Sequence, residues 1–99
     1  MPQNKVDKIR GYGASVKFVK GWCLEAQNAA FADAKKQKLY YVPPYNSTIT
    51  LCGAGTIGLE IWDQMANLNQ KIDAVFACVG GGGLLSGVST YLKEKDPSI

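Results

Sequence analysis

Four consecutive glycines, Gly80-Gly81-Gly82-Gly83, sit between an apolar run and an amphipathic helical pattern, and this constrains the chain more than any other feature. The run before them, Asp73-Ala-Val-Phe-Ala-Cys-Val79, is nearly all apolar, which suits a strand buried on both faces of a parallel sheet. The pattern after them runs from Leu84 to about Lys95 and stops at Asp96-Pro97. Each glycine costs roughly 0.5–1 kcal/mol of backbone entropy relative to alanine, and a plain strand–helix turn needs one or two. Four in a row remove every Cβ from the turn. Successive N–H groups can then face an anion directly, with the partial positive charge of a helix N-terminus behind them. Ser86, in the first helical turn, adds a hydroxyl. The alternative is a tight crossover that holds no ligand.

The rest of the chain alternates in the same way. Asn4 to Arg10 reads as the last turns of a helix, with Val6 and Ile9 on one face, and residues 14–19 as a short strand. Cys23 to Lys36 carries a helical stripe of Leu24, Ala26, Ala30, Phe31 and Ala34. Leu39 to Val42 is a short apolar run stopped by Pro43-Pro44. Residues 45–52 read as a loop, and Ile57, Ile61, Met65 and Leu68 mark a helix over 56–68. The order β-α-β-α-β-α predicts an α/β fold with a short parallel-type sheet.

A second glycine cluster, Gly53-Ala-Gly-Thr-Ile-Gly58, matches G-x-G-x-x-G, and Asp73 follows Gly53 by 20 positions. As a dinucleotide fingerprint, Gly53, Gly55 and Gly58 would seat a pyrophosphate. The context opposes this. Asp73 lies at the wrong end of its expected strand, and Asn46 to Cys52 is too polar for a central strand. Close helix packing is the simpler reading.

Composition excludes several classes. The 99 residues are 46% hydrophobic, enough for a core, yet no apolar run reaches the roughly 18–20 residues of a membrane span. Neither a membrane protein nor a secretory leader is expected. The net charge of +3 comes from scattered residues, and Lys35, Lys36 and Lys38 suit a helix end better than a nucleic-acid patch. Cys23, Cys52 and Cys78 form no CxxC pair, so free thiols in a reducing cytoplasm are expected. The absence of histidine excludes histidine acid–base catalysis and most zinc sites. Glu25, Asp33, Asp63 and Glu94 read as solvated helix faces, so no catalytic set and no metal site is assigned.

Asp73 through Gly87 resembles the tetraglycine loop of the fold-type II pyridoxal-phosphate enzymes, and above all of the serine/threonine dehydratases and serine racemase. Gly13-Ala-Ser-Val16 resembles the family's G-A-x-V strand, and Tyr41-Val-Pro-Pro-Tyr-Asn46 its Y-V-P-P-F-D segment. Gly53-Ala-Gly-Thr-Ile-Gly-Leu-Glu-Ile61 with Gln64 resembles its G-Q-G-T-I-G-L-E-I…Q helix start. Ala54 stands where glutamine is usual and Asn46 where aspartate is usual.

The resemblance implies a partial segment, with 1–50 like the end of the family's small domain and 51–99 like a helix and one βα unit of the large one. It implies pyridoxal 5'-phosphate as cofactor, with its phosphate held by Gly80, Gly81, Gly82, Gly83 and Leu84. The family's Schiff-base lysine lies in an S-x-K-x-R motif that does not occur here. The chain is therefore expected to hold the phosphate but to be inactive alone in the family reaction, deamination of hydroxy amino acids to 2-oxo acids and ammonia. Two alternatives stay open: a non-catalytic α/β module for oligomerisation or partner binding, and the NAD-type binder. An apolar strand short of neighbours is also an association site, so a homo-oligomer is expected.

Overall fold

A computed structural model describes residues 1–99. It contains four α-helices: α1 Gln3–Gly11, α2 Cys23–Gln37, α3 Thr48–Asn67 and α4 Gly83–Lys95. The structure is 58% helical, with no strand and no sheet. This overturns the expected α/β fold. Helices α2 and α4 lie where the periodicity put them, but residues 14–19 and 73–79 close no ladder. An apolar run reports a preference for burial. A strand also requires a second backbone at hydrogen-bonding distance, which composition cannot report. Residues 73–79 keep a partial alternation: Val75 and Ala77 are half-buried, whereas Phe76 is 97% exposed.

The chain forms two compact units, Met1–Tyr41 and Val42–Ile99. In the first, α1 buries Val6 and places Lys8 and Arg10 in its last turn, where cations offset the helix dipole. The Glu25 carboxylate accepts the Trp22 N–H at 2.8 Å, satisfying an otherwise orphan donor at the start of α2. Bonds from backbone N–H groups, its own first and then that of Trp22, hold the Glu25 carboxyl below its ordinary 4.5. Lys38 ends α2 in the left-handed conformation at φ 56°. The lysine cluster thus marks a helix end, as its spacing suggests. Phe31 meets Tyr41 edge-on, with ring centroids 5.5 Å apart.

In the second unit, α3 begins eight residues before the helix expected at 56. Ser47 is its N-cap, and its hydroxyl accepts the Thr50 N–H at 3.2 Å. The Thr50 hydroxyl donates to the Pro43 carbonyl at 2.7 Å, tying the Pro43-Pro44 segment to the helix start. Helices α3 and α4 pack against each other through glycines. A Cβ at Gly58 would stand 3.1 Å from the Val88 carbonyl oxygen, and one at Gly55 would stand 3.3 Å from that of Gly87. A Cβ at Gly87 would fall 2.5 Å from the Leu51 carbonyl oxygen. Beside this notch, Ile72, Val88 and Leu92 form the buried core, covered by Ile61, Trp62, Met65, Val75, Tyr91 and Ile99.

Candidate functional site

Gly80 to Leu84 form the turn into α4. Gly82 is the N-cap, with φ 90° and ψ −13°, a conformation that glycine adopts without strain. An ordinary N-cap uses an extended backbone and a side-chain oxygen to occupy a first-turn N–H. Here the cap is glycine and makes no side-chain cap hydrogen bond. The first intrahelical bond across the cap is Ser86 N–H to the Gly82 carbonyl, at 2.9 Å. The amides of Gly83, Leu84 and Leu85 precede it and have no acceptor within the helix. Behind them lie the 13 residues of α4, whose dipole favours negative charge at this end. Gly80 and Gly81 are exposed, Gly82 half-buried and Gly83 buried, while Ser86 lies exposed on the first turn.

The four glycines differ in why they lack a side chain. A Cβ at Gly81 would fall 2.3 Å from Cδ1 of Tyr45, and one at Gly83 would fall 2.9 Å from Tyr45 Cβ. Internal packing therefore requires both. Gly82 is required by its backbone angle. Gly80 has neither constraint: its φ is outside the left-handed region and a Cβ there would meet nothing within 4 Å. At Gly80 and Gly82 the backbone therefore faces open space.

The other glycine cluster behaves differently. Gly53, Gly55 and Gly58 lie inside α3, which begins at Thr48, so their amides belong to the helix ladder. The Thr56 hydroxyl donates to the Gly53 carbonyl at 2.7 Å. A dinucleotide fingerprint must open a helix. These residues do not, so the NAD reading fails, and close packing against α4 accounts for Gly55 and Gly58. Residues 53–60 are likewise a helix interior and not the helix start that the resemblance implied. Tyr45, which backs the glycine loop, escapes sequence reasoning because its partners lie about 36–38 positions away. Ser47, the N-cap of α3, lies in the segment read as a loop.

Gly80–Leu84 thus form a helix N-terminus lined by glycine and backed by the Tyr45 ring. The model for pyridoxal-phosphate dependent enzymes matches residues 1–99, and the chain belongs to that family, whose cofactor is pyridoxal phosphate. The chain is 38% identical over 103 residues to the biosynthetic L-threonine dehydratase of Haemophilus influenzae, matching 100% of this chain and 19% of that protein. It is 40% identical over 99 residues to the catabolic L-threonine dehydratase of Staphylococcus aureus, covering 99% and 27%. The solved structure of the processed form of threonine deaminase isoform 2 from Solanum lycopersicum superposes with a TM-score of 0.82 at 40% identity. It covers 99% of this chain and 26% of that one. The chain therefore spans only about a fifth to a quarter of the length of these relatives. No helix is long and apolar enough to cross a membrane.

Proposed function

We propose that Gly80 to Leu84 cradle the phosphate of pyridoxal phosphate, and that the chain is the phosphate-holding segment of a dehydratase acting on threonine or a similar hydroxy amino acid. Gly80 carries this reading. Neither packing nor backbone angle requires a glycine there, so close approach of a ligand is the remaining reason for one. The first-turn amides of α4, which have no acceptor within the helix, supply the donors. The relatives named above supply the substrate class.

When bound, pyridoxal phosphate supplies an electron sink for reactions at the substrate α-carbon. The contribution of these residues is to bind and orient. Backbone N–H groups of Gly80 to Leu84 would hold the phosphate, and Leu84 and Ser86 border the turn. With no S-x-K-x-R lysine and no histidine among the 99 residues, the chain alone holds the ligand without converting substrate.

The test is an amide NMR titration with pyridoxal phosphate, with inorganic phosphate and NAD as controls. Shifts centred on Gly80–Leu84 for the two phosphate ligands are expected, with an affinity near millimolar, about −4 kcal/mol. No shift there would refute the cradle.

A second reading rests on Phe76, 97% exposed in an apolar run without ladder partners. Such a run associates with like segments, so self-association into a homo-oligomer is proposed alongside. A monomer in sedimentation at high micromolar concentration would refute it.

A further inference from the structure

The glycine loop has a covered side and an open side. On the covered side, Cβ atoms at Gly81 would stand 2.3, 2.4 and 2.7 Å from Cδ1, Cγ and Cε1 of Tyr45. At Gly83 they would stand 2.9 Å from Tyr45 Cβ and 3.0 Å from its Cα. Tyr45 therefore occupies the volume that side chains at 81 and 83 would fill. On the open side, Cβ atoms at Gly80 and Gly82 would meet nothing within 4 Å.

Tyr45 is itself held in place. Pro43 and Pro44 before it have restricted φ angles. The Pro43 carbonyl accepts the Thr50 hydroxyl at 2.7 Å, and Ser47, two residues after Tyr45, caps α3. Helix α3 is seated on α4 through Gly55, Gly58 and Gly87. The loop that starts α4 thus rests on a residue that α4 fixes through α3.

We propose that Tyr45 is the positioning residue of the phosphate cradle: its ring and backbone form the rear wall of Gly80–Gly83 and direct the loop's amides toward the Gly80/Gly82 side. The proposal rests on reading Gly80–Leu84 as a phosphate cradle. Unsupported, four glycines sample many conformations, and each must be ordered when an anion binds. A wall on one side removes part of that ordering cost before binding.

The test uses the 99-residue chain as wild type, Tyr45→Phe, Tyr45→Ala, Gly81→Ala and the Tyr45→Ala/Gly81→Ala double variant. Each is titrated with inorganic phosphate and pyridoxal phosphate and followed by amide NMR, with the Gly82 backbone coupling read as a measure of its φ. Tyr45→Phe keeps the wall and should bind within about twofold of wild type. Tyr45→Ala and Gly81→Ala should each bind about tenfold more weakly and move the Gly82 coupling. The double variant should bind no more weakly than Tyr45→Ala alone, because the group that clashes with the new methyl has gone.

Wild-type binding and Gly82 coupling in Tyr45→Ala would overturn the proposal, as would strictly additive losses in the double variant. If wild type shows no phosphate shift, the cradle reading fails on its own. The Tyr45 wall is then decided by whether the Gly81–Leu84 amides move in Tyr45→Ala and Gly81→Ala and stay in place in Tyr45→Phe. If Tyr45→Ala loses its helical circular dichroism, Gly81→Ala decides. Its methyl must displace the Tyr45 ring signals and the Gly82 amide together, and unmoved ring signals would overturn the proposal.

Discussion

Replacing Gly87 by alanine should separate α3 from α4. The new Cβ would stand 2.5 Å from the Leu51 carbonyl oxygen, 2.7 Å from Ala54 Cβ and 2.8 Å from the Gly55 amide nitrogen. Favourable contacts between carbon atoms begin near 3.5 Å, so the helices must part by about 1 Å. None of the three atoms is the end of a flexible side chain, so no rotamer change relieves the clash. Overpacking of this kind costs about 1–3 kcal/mol, and more when backbone must move. Alanine returns about 1 kcal/mol of helix propensity inside α4. The strain exceeds that gain because Val88 and Leu92, next along α4, lose contact with the core as the helices part. The expected net loss is about 2 kcal/mol, a fall in Tm of roughly 10 °C for a chain this size. Gly53→Ala is the internal control. Gly53 also lies within a helix, but a Cβ there meets nothing within 4 Å, so it should gain about 0.5–1 kcal/mol. Urea unfolding followed by helical circular dichroism measures both. A Gly87→Ala chain as stable as Gly53→Ala would refute the close-packing account of these glycines.

Outcomes are also expected for four further substitutions. Gly80→Ala should leave stability unchanged or raise it by about 0.4–1 kcal/mol while weakening phosphate binding. Gly82→Ala should lose about 1–2 kcal/mol to left-handed strain; thermal melts and phosphate titrations of the two variants, run side by side, separate fold from site. Because Glu25 is held below its ordinary value, the support it gives α2 is present above about pH 4.5 and fades as the pH falls through its lower folded value. Carboxyl NMR should place that titration below 4.5, and Glu25→Gln should abolish the pH dependence of the Trp22 amide shift. Phe76→Ser should change stability by less than about 0.5 kcal/mol, since the ring is almost wholly exposed. It should also shift sedimentation toward monomer, and unaltered association would assign self-association to another surface.

Much of the helical content was legible along the chain. The span read from Cys23 to Lys36 marks α2 to within a residue, and the pattern from Leu84 to Lys95 marks α4 equally well. The start of α3 was not. Gly53, Gly55 and Gly58 depress local helix propensity by about 1 kcal/mol each, so the residues before 56 do not read as helix. Contact with α4 overrides that penalty. The run 73–79 was legible as apolar but not as unpaired, since pairing depends on another backbone. Of the proposed site, the glycines and their place before a helix were visible, and Tyr45 behind them was not.

Order along the chain determined where α2 and α4 run, and that four glycines open α4. Only the tertiary structure decided what each glycine is for. A hydrogen in place of Cβ is chemically the same at Gly55, Gly80, Gly81 and Gly87. Its meaning is set by whichever atom fills the vacant volume: a carbonyl of the facing helix at Gly55 and Gly87, the Tyr45 ring at Gly81, and open space at Gly80. Those atoms come from distant positions, or from none, and no local pattern of residues encodes their arrival.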